Sequence, residues 1–315
     1  MAAKEMRAVY AETLMELAAR DRGIMVVEAD LMRASGTMAF RDAYPDRAID
    51  VGVAEANLVG VAAGLAAEGK VPFAATFGCF ASRRAFDQFF VSCAYAKLPV
   101  KLVGTDPGIS AAYNGGTHMP FEDIGIMRTV PGLDIVEPSD PVSLKALVGA
   151  LAASGKPGYL RLHRKAIEPL YGADETFTLG KGKLLREGGD VLIVALGAIL
   201  VPAAMAAAKA LEAEGIHASV IDALSAKPID AELILAWARK TGAVVTAENH
   251  QLSGGFGSAV AELLAETGIA RLARVGVEES FGEVGTQDYL AKRFGLTAEA
   301  IAQKAKTLLA KRITP

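Results

Sequence analysis

Between Val51 and Ala67 the only charged residue is Glu55, set where the strand-like run Asp50-Val51-Gly52-Val53 passes into a helix. A carboxyl there either complements the helix dipole, worth ~0.3 to 1 kcal/mol, or does acid–base work. His118 closes the run Asn114-Gly115-Gly116-Thr117-His118. Such a residue can shuttle protons or grip hydroxyls, although a lone histidine is more often structural. Phe77 and Phe80 sit at a strand end, where two rings can face a planar ligand or simply fill a core.

These residues need elements to hold them. A strand over 49–53 would lead into the Glu55 helix, and Gly69 would supply the left-handed residue that ends it. Gly60 and Gly64 give that helix a small-residue face suited to close packing, including across a subunit boundary. Further short apolar runs at 24–27, 73–76, 100–103, 135–136 and 159–162 alternate with helical stretches. A second series follows at 191–196, 218–221, 243–246 and 272–277. The rhythm predicts an α/β protein of two three-layer α/β/α domains with mostly parallel sheets. A polar connector with Pro169, Gly172, Gly180 and Gly182 separates them, so the domains are expected at 1–168 and 190–315, with 169–189 as linker.

With 315 residues, 52% apolar and 22% charged, the chain can fill two cores. A net charge of -3 with dispersed signs provides no basic face for nucleic acid and no polybasic membrane patch. Cys79 and Cys93 lack metal-ligand spacing and lie in apolar segments, as expected of thiols in a reducing compartment. No secretory core follows the N-terminus, and a cytoplasmic protein is expected. The uncharged 191–208 stretch is broken by Gly197 and Pro202, so it reads as strand, turn and a helix starting at Pro202 rather than a membrane span. Gly254-Gly255-Phe256-Gly257 lacks dinucleotide-loop spacing and reads as a turn packing a helix onto a strand.

The order of Glu55, Phe77, Phe80, the Arg83 to Gln88 stretch, Asn114 to Asp123, Val130-Pro131-Gly132-Leu133 and Pro138-Ser139-Asp140 resembles the C-terminal half of transketolase. Glu248-Asn249-His250, Gly254 to Gly257, Ser280-Phe281-Gly282-Glu283 and Phe294 to Thr297 extend the resemblance almost end to end. It implies a pyrimidine-binding domain followed by a transketolase C-terminal domain, and thiamine diphosphate as cofactor. Glu55 would hydrogen-bond the aminopyrimidine ring and promote its imino tautomer, with Val51, Val53, Ala54, Leu58 and Val59 desolvating the carboxyl. Phe80 would stack on that ring, Phe77 would wall it, and Asp30 would lie near the cofactor. His118 would contact the donor hydroxyls, and Arg7 and Arg164 would hold a distal phosphate, a natural use of guanidinium geometry. His163, His217 and His250 match no such role and are expected to be structural.

Two positions depart from the family pattern. Asp106 stands where the family usually has a phosphate-binding histidine, and Asn114 where it has an aspartate near the donor hydroxyl. A serine that often touches phosphate is replaced by Ala34, unless Ser35 takes its place. A carboxylate ~4 Å from a phosphate is repelled by roughly 4 kcal/mol per charge pair at an effective dielectric of ~20. A non-standard sugar substrate is therefore expected, with or without a distal phosphate.

The diphosphate clamp of a thiamine enzyme, a Gly-Asp-Gly segment with a later asparagine, has no counterpart here; Gly188-Gly189-Asp190 has the wrong order. The resemblance therefore implies a separate N-terminal transketolase subunit that brings the diphosphate and Mg2+ site, an α2β2 assembly, and inactivity of this chain alone. No metal ligand is expected on this chain. Two other readings remain: the β subunit of a 2-oxoacid dehydrogenase, and a non-catalytic interaction subunit of the same fold.

Overall fold

The computed structural model describes residues 3–310. Residues 1–2 and 311–315 of the expected domain spans lie outside them. The first half contributes the strands Ile24–Glu28 (β1), Ala48–Asp50 (β2), Val71–Phe77 (β3), Lys101–Thr105 (β4), Asp134–Val136 (β5) and Gly158–Leu162 (β6). They lie parallel in the order β5-β6-β4-β3-β1-β2. Alternate residues serve opposite layers, as a period of two requires. Val26, Phe73, Ala75 and Leu160 pack under Met6–Arg20 and Pro141–Ala153, whereas Val27, Ala74, Leu102 and Tyr159 pack under Glu55–Ala67.

The second half contributes Lys183–Arg186 (β7), Val191–Ala195 (β8), Ala218–Asp222 (β9), Ser225–Lys227 (β10), Ala243–Gln251 (β11) and Arg271–Val277 (β12). Its sheet runs β12-β11-β8-β9-β7, with only β7 antiparallel. Helices Gly197–Glu212 and Ala298–Ala310 cover one face, and Ala231–Thr241 and Phe256–Thr267 the other. Both units are three-layer α/β/α sandwiches, as expected.

Several local expectations change. The strand expected over 49–53 ends at Asp50, because Gly52 adopts φ +71° and turns the chain. The helix expected from Pro202 starts at Gly197, with Pro202 inside it, so one backbone hydrogen bond to Ala198 is lost. The connector expected at 169–189 carries β7, which pairs antiparallel with β9. β10 leaves the second unit and extends the first sheet, pairing Ser225 with Val136 and Lys227 with Ile135. No helix among the described residues is long and apolar enough to cross a membrane.

Buried polar side chains join the two units. Arg161 on β6, fully buried, donates Nε to Asp123 Oδ2 (2.8 Å), Nη1 to Glu137 and Nη2 to the Asn249 carbonyl oxygen (3.0 Å). Asn249 accepts the Ile109 N–H (3.0 Å) and donates to the Pro107 carbonyl oxygen (2.8 Å). His250 Nδ1 lies 2.7 Å from the Gln251 carbonyl oxygen, so it carries the proton and Nε2 accepts the Gly125 N–H at 3.2 Å. Burial pushes the His250 pKa down to about 4. Glu248 caps Phe256–Thr267 by accepting the Phe256 and Gly257 N–H groups (2.6 and 2.8 Å). A Cβ on Gly255 would come within 2.2 Å of Glu248 Oε2, which is why that turn is glycine-rich.

Candidate active site

β3 ends at Phe77 and the short helix Gly78–Arg83 begins at once, which sets Phe80 near Phe77. Their ring centroids are 6.0 Å apart, and the His118 ring stands edge-on to both, 5.6 Å from Phe77 and 5.2 Å from Phe80. Arg84 lies 4.0 Å above the Phe80 ring. Its Nη1 is 3.2 Å from each carboxylate oxygen of Glu55. On the other side, Arg164 lies 5.2 Å from the Phe77 ring. Its Nε donates to Asp106 Oδ1 at 2.7 Å and its Nη2 to Oδ2. Glu55, Arg84, Phe80, His118, Phe77, Arg164 and Asp106 thus form one unbroken line of contacts.

Backbone and side-chain ties hold this line in place. Asp50 Oδ1 accepts the N–H groups of Asp30 and Gly52, both at 2.9 Å, and so anchors the turn that precedes Glu55. Arg83 donates to the carbonyl oxygens of Cys79 (3.1 Å) and Thr117 (2.9 Å), tying the Phe80 helix to the His118 loop. Thr117 Oγ1 meets His118 Nδ1 at 2.9 Å, leaving Nε2 without a hydrogen-bond partner among the described residues. Gly116 lies against the second unit, where a Cβ would meet the Gly282 carbonyl oxygen at 2.0 Å. The Ser280 to Glu283 stretch therefore buttresses the histidine loop.

Glu55 is 5% exposed, shielded by the fully buried Leu58 and Val59. Val53, expected to shield it too, is 70% exposed. The expectation of an unrelieved carboxylate at Asp106 also changes, because Arg164 takes both of its oxygens. Ser35 cannot replace Ala34 as a ligand-facing hydroxyl. It is buried and donates to Oε1 of Glu28; the Glu28 Oε2 has no partner among the described residues, and burial pushes the Glu28 pKa up to about 7. Ala34 instead contributes its carbonyl oxygen, which accepts from Arg164 (3.1 Å) and Arg7 (3.5 Å). Asp30 and Asn114 stand exposed outside the line of contacts; Asp30 adopts φ +60°. Arg84 was the missed member of the site. Its spacing of four from Phe80 was the available signal, whereas nothing in the sequence joins it to Glu55.

"Transketolase, pyrimidine binding domain" matches residues 2–169, and "Transketolase, C-terminal domain" matches residues 180–301. The chain belongs to the transketolase family. Family members use thiamine diphosphate and a metal ion. The half-open faces of Phe77 and Phe80 beside the buried carboxyl of Glu55 suit a planar heteroaromatic with a ring nitrogen. Among the described residues no three His, Cys, Asp or Glu are grouped to hold a metal. The chain is 52% identical over 300 residues to "6-deoxy-6-sulfo-D-fructose transketolase subunit SqwH" of Clostridium sp. (strain MSTE9), covering 95% of this chain and 93% of that protein. It is 40% identical to the "Putative transketolase C-terminal section" of Methanocaldococcus jannaschii, covering 96% and 95%. It spans about half of a 1-deoxy-D-xylulose-5-phosphate synthase from Thermomicrobium roseum, 39% identical over 96% of this chain and 48% of that one. Among solved structures, "Split gene transketolase, inactive beta4 tetramer" superposes with TM-score 0.91 at 43% identity, over 99% of this chain and all of that one.

Proposed function

We propose that this chain is the C-terminal subunit of a two-chain transketolase that moves a two-carbon ketol unit from a sulfonated ketose to an aldose. The supporting observation is the line of contacts from Glu55 to Asp106, with a polar acid–base end, an aromatic middle and a paired-arginine end. The partner would be an N-terminal subunit holding the diphosphate and Mg2+, in an α2β2 complex. In support, two relatives are described as a transketolase subunit and a C-terminal section, and a solved neighbour as an inactive β4 tetramer.

Thiamine diphosphate, when bound, supplies the electron sink for carbon–carbon cleavage. Glu55 would hold a hydrogen bond at the aminopyrimidine nitrogen from a water-poor turn. Phe80 and Phe77 would set the plane of that ring and exclude water from one side. The free Nε2 of His118 would donate to, or take a proton from, the donor hydroxyls. Arg164 and Arg7, both held at the Ala34 carbonyl, would orient the sugar's charged end. Asp30 and Asn114 would approach the cofactor and sugar from the rim. SqwH, by its name, acts on 6-deoxy-6-sulfo-D-fructose, and a sulfonated substrate agrees with the Asp106 departure.

The test is ketol transfer from 6-deoxy-6-sulfo-D-fructose by the complex of this chain with its N-terminal partner, with and without thiamine diphosphate. Cofactor-dependent transfer is expected; no transfer from any ketose would reject the reading.

A further inference from the structure

Arg164 faces the Phe77 end of the site, Arg7 shares the Ala34 carbonyl oxygen with it, and each is held by a carboxylate. Arg7 donates Nε (2.9 Å) and Nη2 (3.2 Å) to Glu5, whose side chain is 50% exposed and can turn into water. Asp106, which holds Arg164, is 2% exposed. Its backbone is pinned by an N–H bond to the Leu162 carbonyl oxygen (3.1 Å) at φ +56°. Of the five N–H groups of Arg164, three are donated, two to Asp106 and one to Ala34. One remains on each terminal nitrogen. The two guanidiniums and the two carboxylates sum to zero (2 − 2). A dianion's second charge therefore meets no net attraction here and still costs its desolvation.

Resting on the ketol-transfer reading above, we propose that Asp106 is a specificity-determining residue that matches this subsite to a monoanionic sulfonate tail and turns away a dianionic phosphate. A sulfonate bears one negative charge, whereas a phosphate monoester bears about 1.5 to 2 at pH 7. Both groups offer three oxygens to the same two remaining N–H groups, so charge rather than shape separates them. The Asp106 carboxylate, held to the guanidinium by two hydrogen bonds, repels in proportion to ligand charge.

The experiment is a charge series on the two-chain complex: kcat/KM for fructose, 6-deoxy-6-sulfo-D-fructose and fructose 6-phosphate, with wild type and Asp106→Asn. Wild type should favour the sulfonate over the phosphate by about tenfold or more, the fold-change that about 1.4 kcal/mol of extra desolvation gives. Asp106→Asn should change fructose least and raise the sulfonate. It should raise the phosphate by about the square of the sulfonate gain, because the effect follows ligand charge. A wild-type preference for the phosphate overturns the proposal and needs no variant to be stable. Equal losses on all three sugars also overturn it, leaving Asp106 only a support for Arg164. Transfer from none of the three by wild type would instead reject the ketol-transfer reading itself.

Discussion

Arg84 spans from solvent to a buried carboxyl: its side chain is 53% exposed, yet Nη1 sits 3.2 Å from both oxygens of Glu55, which is 5% exposed. It also covers the Phe80 ring at 4.0 Å. Arg84 therefore covers the carboxyl and one face of the Phe80 ring. Glu55→Gln should lower ketol transfer by about 10²- to 10⁴-fold, the usual range for a lost acid–base group. Unchanged turnover in the reconstituted complex would reject the role of Glu55. A double-mutant cycle of Glu55→Gln and Arg84→Ala on this chain should give a coupling of about 1 kcal/mol or less, since the exposed arginine is screened by water.

Gly116 has no space for a side chain, because its Cβ would lie 2.0 Å from the Gly282 carbonyl oxygen. Gly116→Ala must therefore push the histidine loop and the 280s stretch apart. Turnover should fall by about tenfold or more from misplacement of His118, with Glu55 and its surroundings unaffected. Comparing kcat with thiamine diphosphate affinity checks this: kcat should drop while the affinity holds.

Arg161 is fully buried between Asp123 and Glu137. Burial pushes the Glu137 pKa up to about 7, with Arg161 opposing that rise. Arg161→Leu would leave the Glu137 carboxyl and the Asn249 carbonyl oxygen without their Arg161 donor and Asp123 with only the Tyr159 hydroxyl (2.8 Å). The expected cost is about 3 to 5 kcal/mol, read as a lower midpoint in denaturant unfolding. A loss under ~1 kcal/mol would contradict this account of how the two units are joined.

His250 predicts a pH dependence of stability. Burial lowers its folded pKa to about 4 from an ordinary 6.5, so between those values the unfolded chain binds a proton that the folded chain does not. Stability from this group is present above pH 6.5 and is lost as pH falls toward about 4, by ~1.4 kcal/mol per pH unit. His250→Gln lacks the titration. The wild-type advantage over this variant should shrink by roughly 3 kcal/mol across that window. Glu28, Glu137 and Asp222, which burial raises to about 7, act with the opposite sign, and His163, which burial lowers to about 4, with the same sign, but all four are common to both proteins. Parallel stability curves would reject the neutral, buried state of His250.

Much of the architecture is legible in the order of residues, because strands covered on both faces must be apolar throughout. Strands such as Ile24–Glu28, Val71–Phe77 and Val191–Ala195 therefore announce themselves. Ser225–Lys227 gives no such signal, being three residues long and completed by a partner strand some ninety residues earlier. Lys183–Arg186 is half-buried and polar at both ends, which made it look like a connector.

The site divides in the same way. Glu55 at its helix start, the Phe77 and Phe80 pair and the glycine approach to His118 are local patterns, so residue types and spacing along the chain determine them. Whether Asp106 stands alone or clasps Arg164, 58 residues away, depends on how β4 and β6 lie side by side. Whether Arg84 reaches Glu55, 29 residues away, depends on the turn that returns the Phe80 helix over the sheet. Local sequence thus determined which chemical groups are present. Only tertiary structure decided which charges neutralise one another, because Coulomb energy depends on distance in space and on burial, and neither is written in sequence separation.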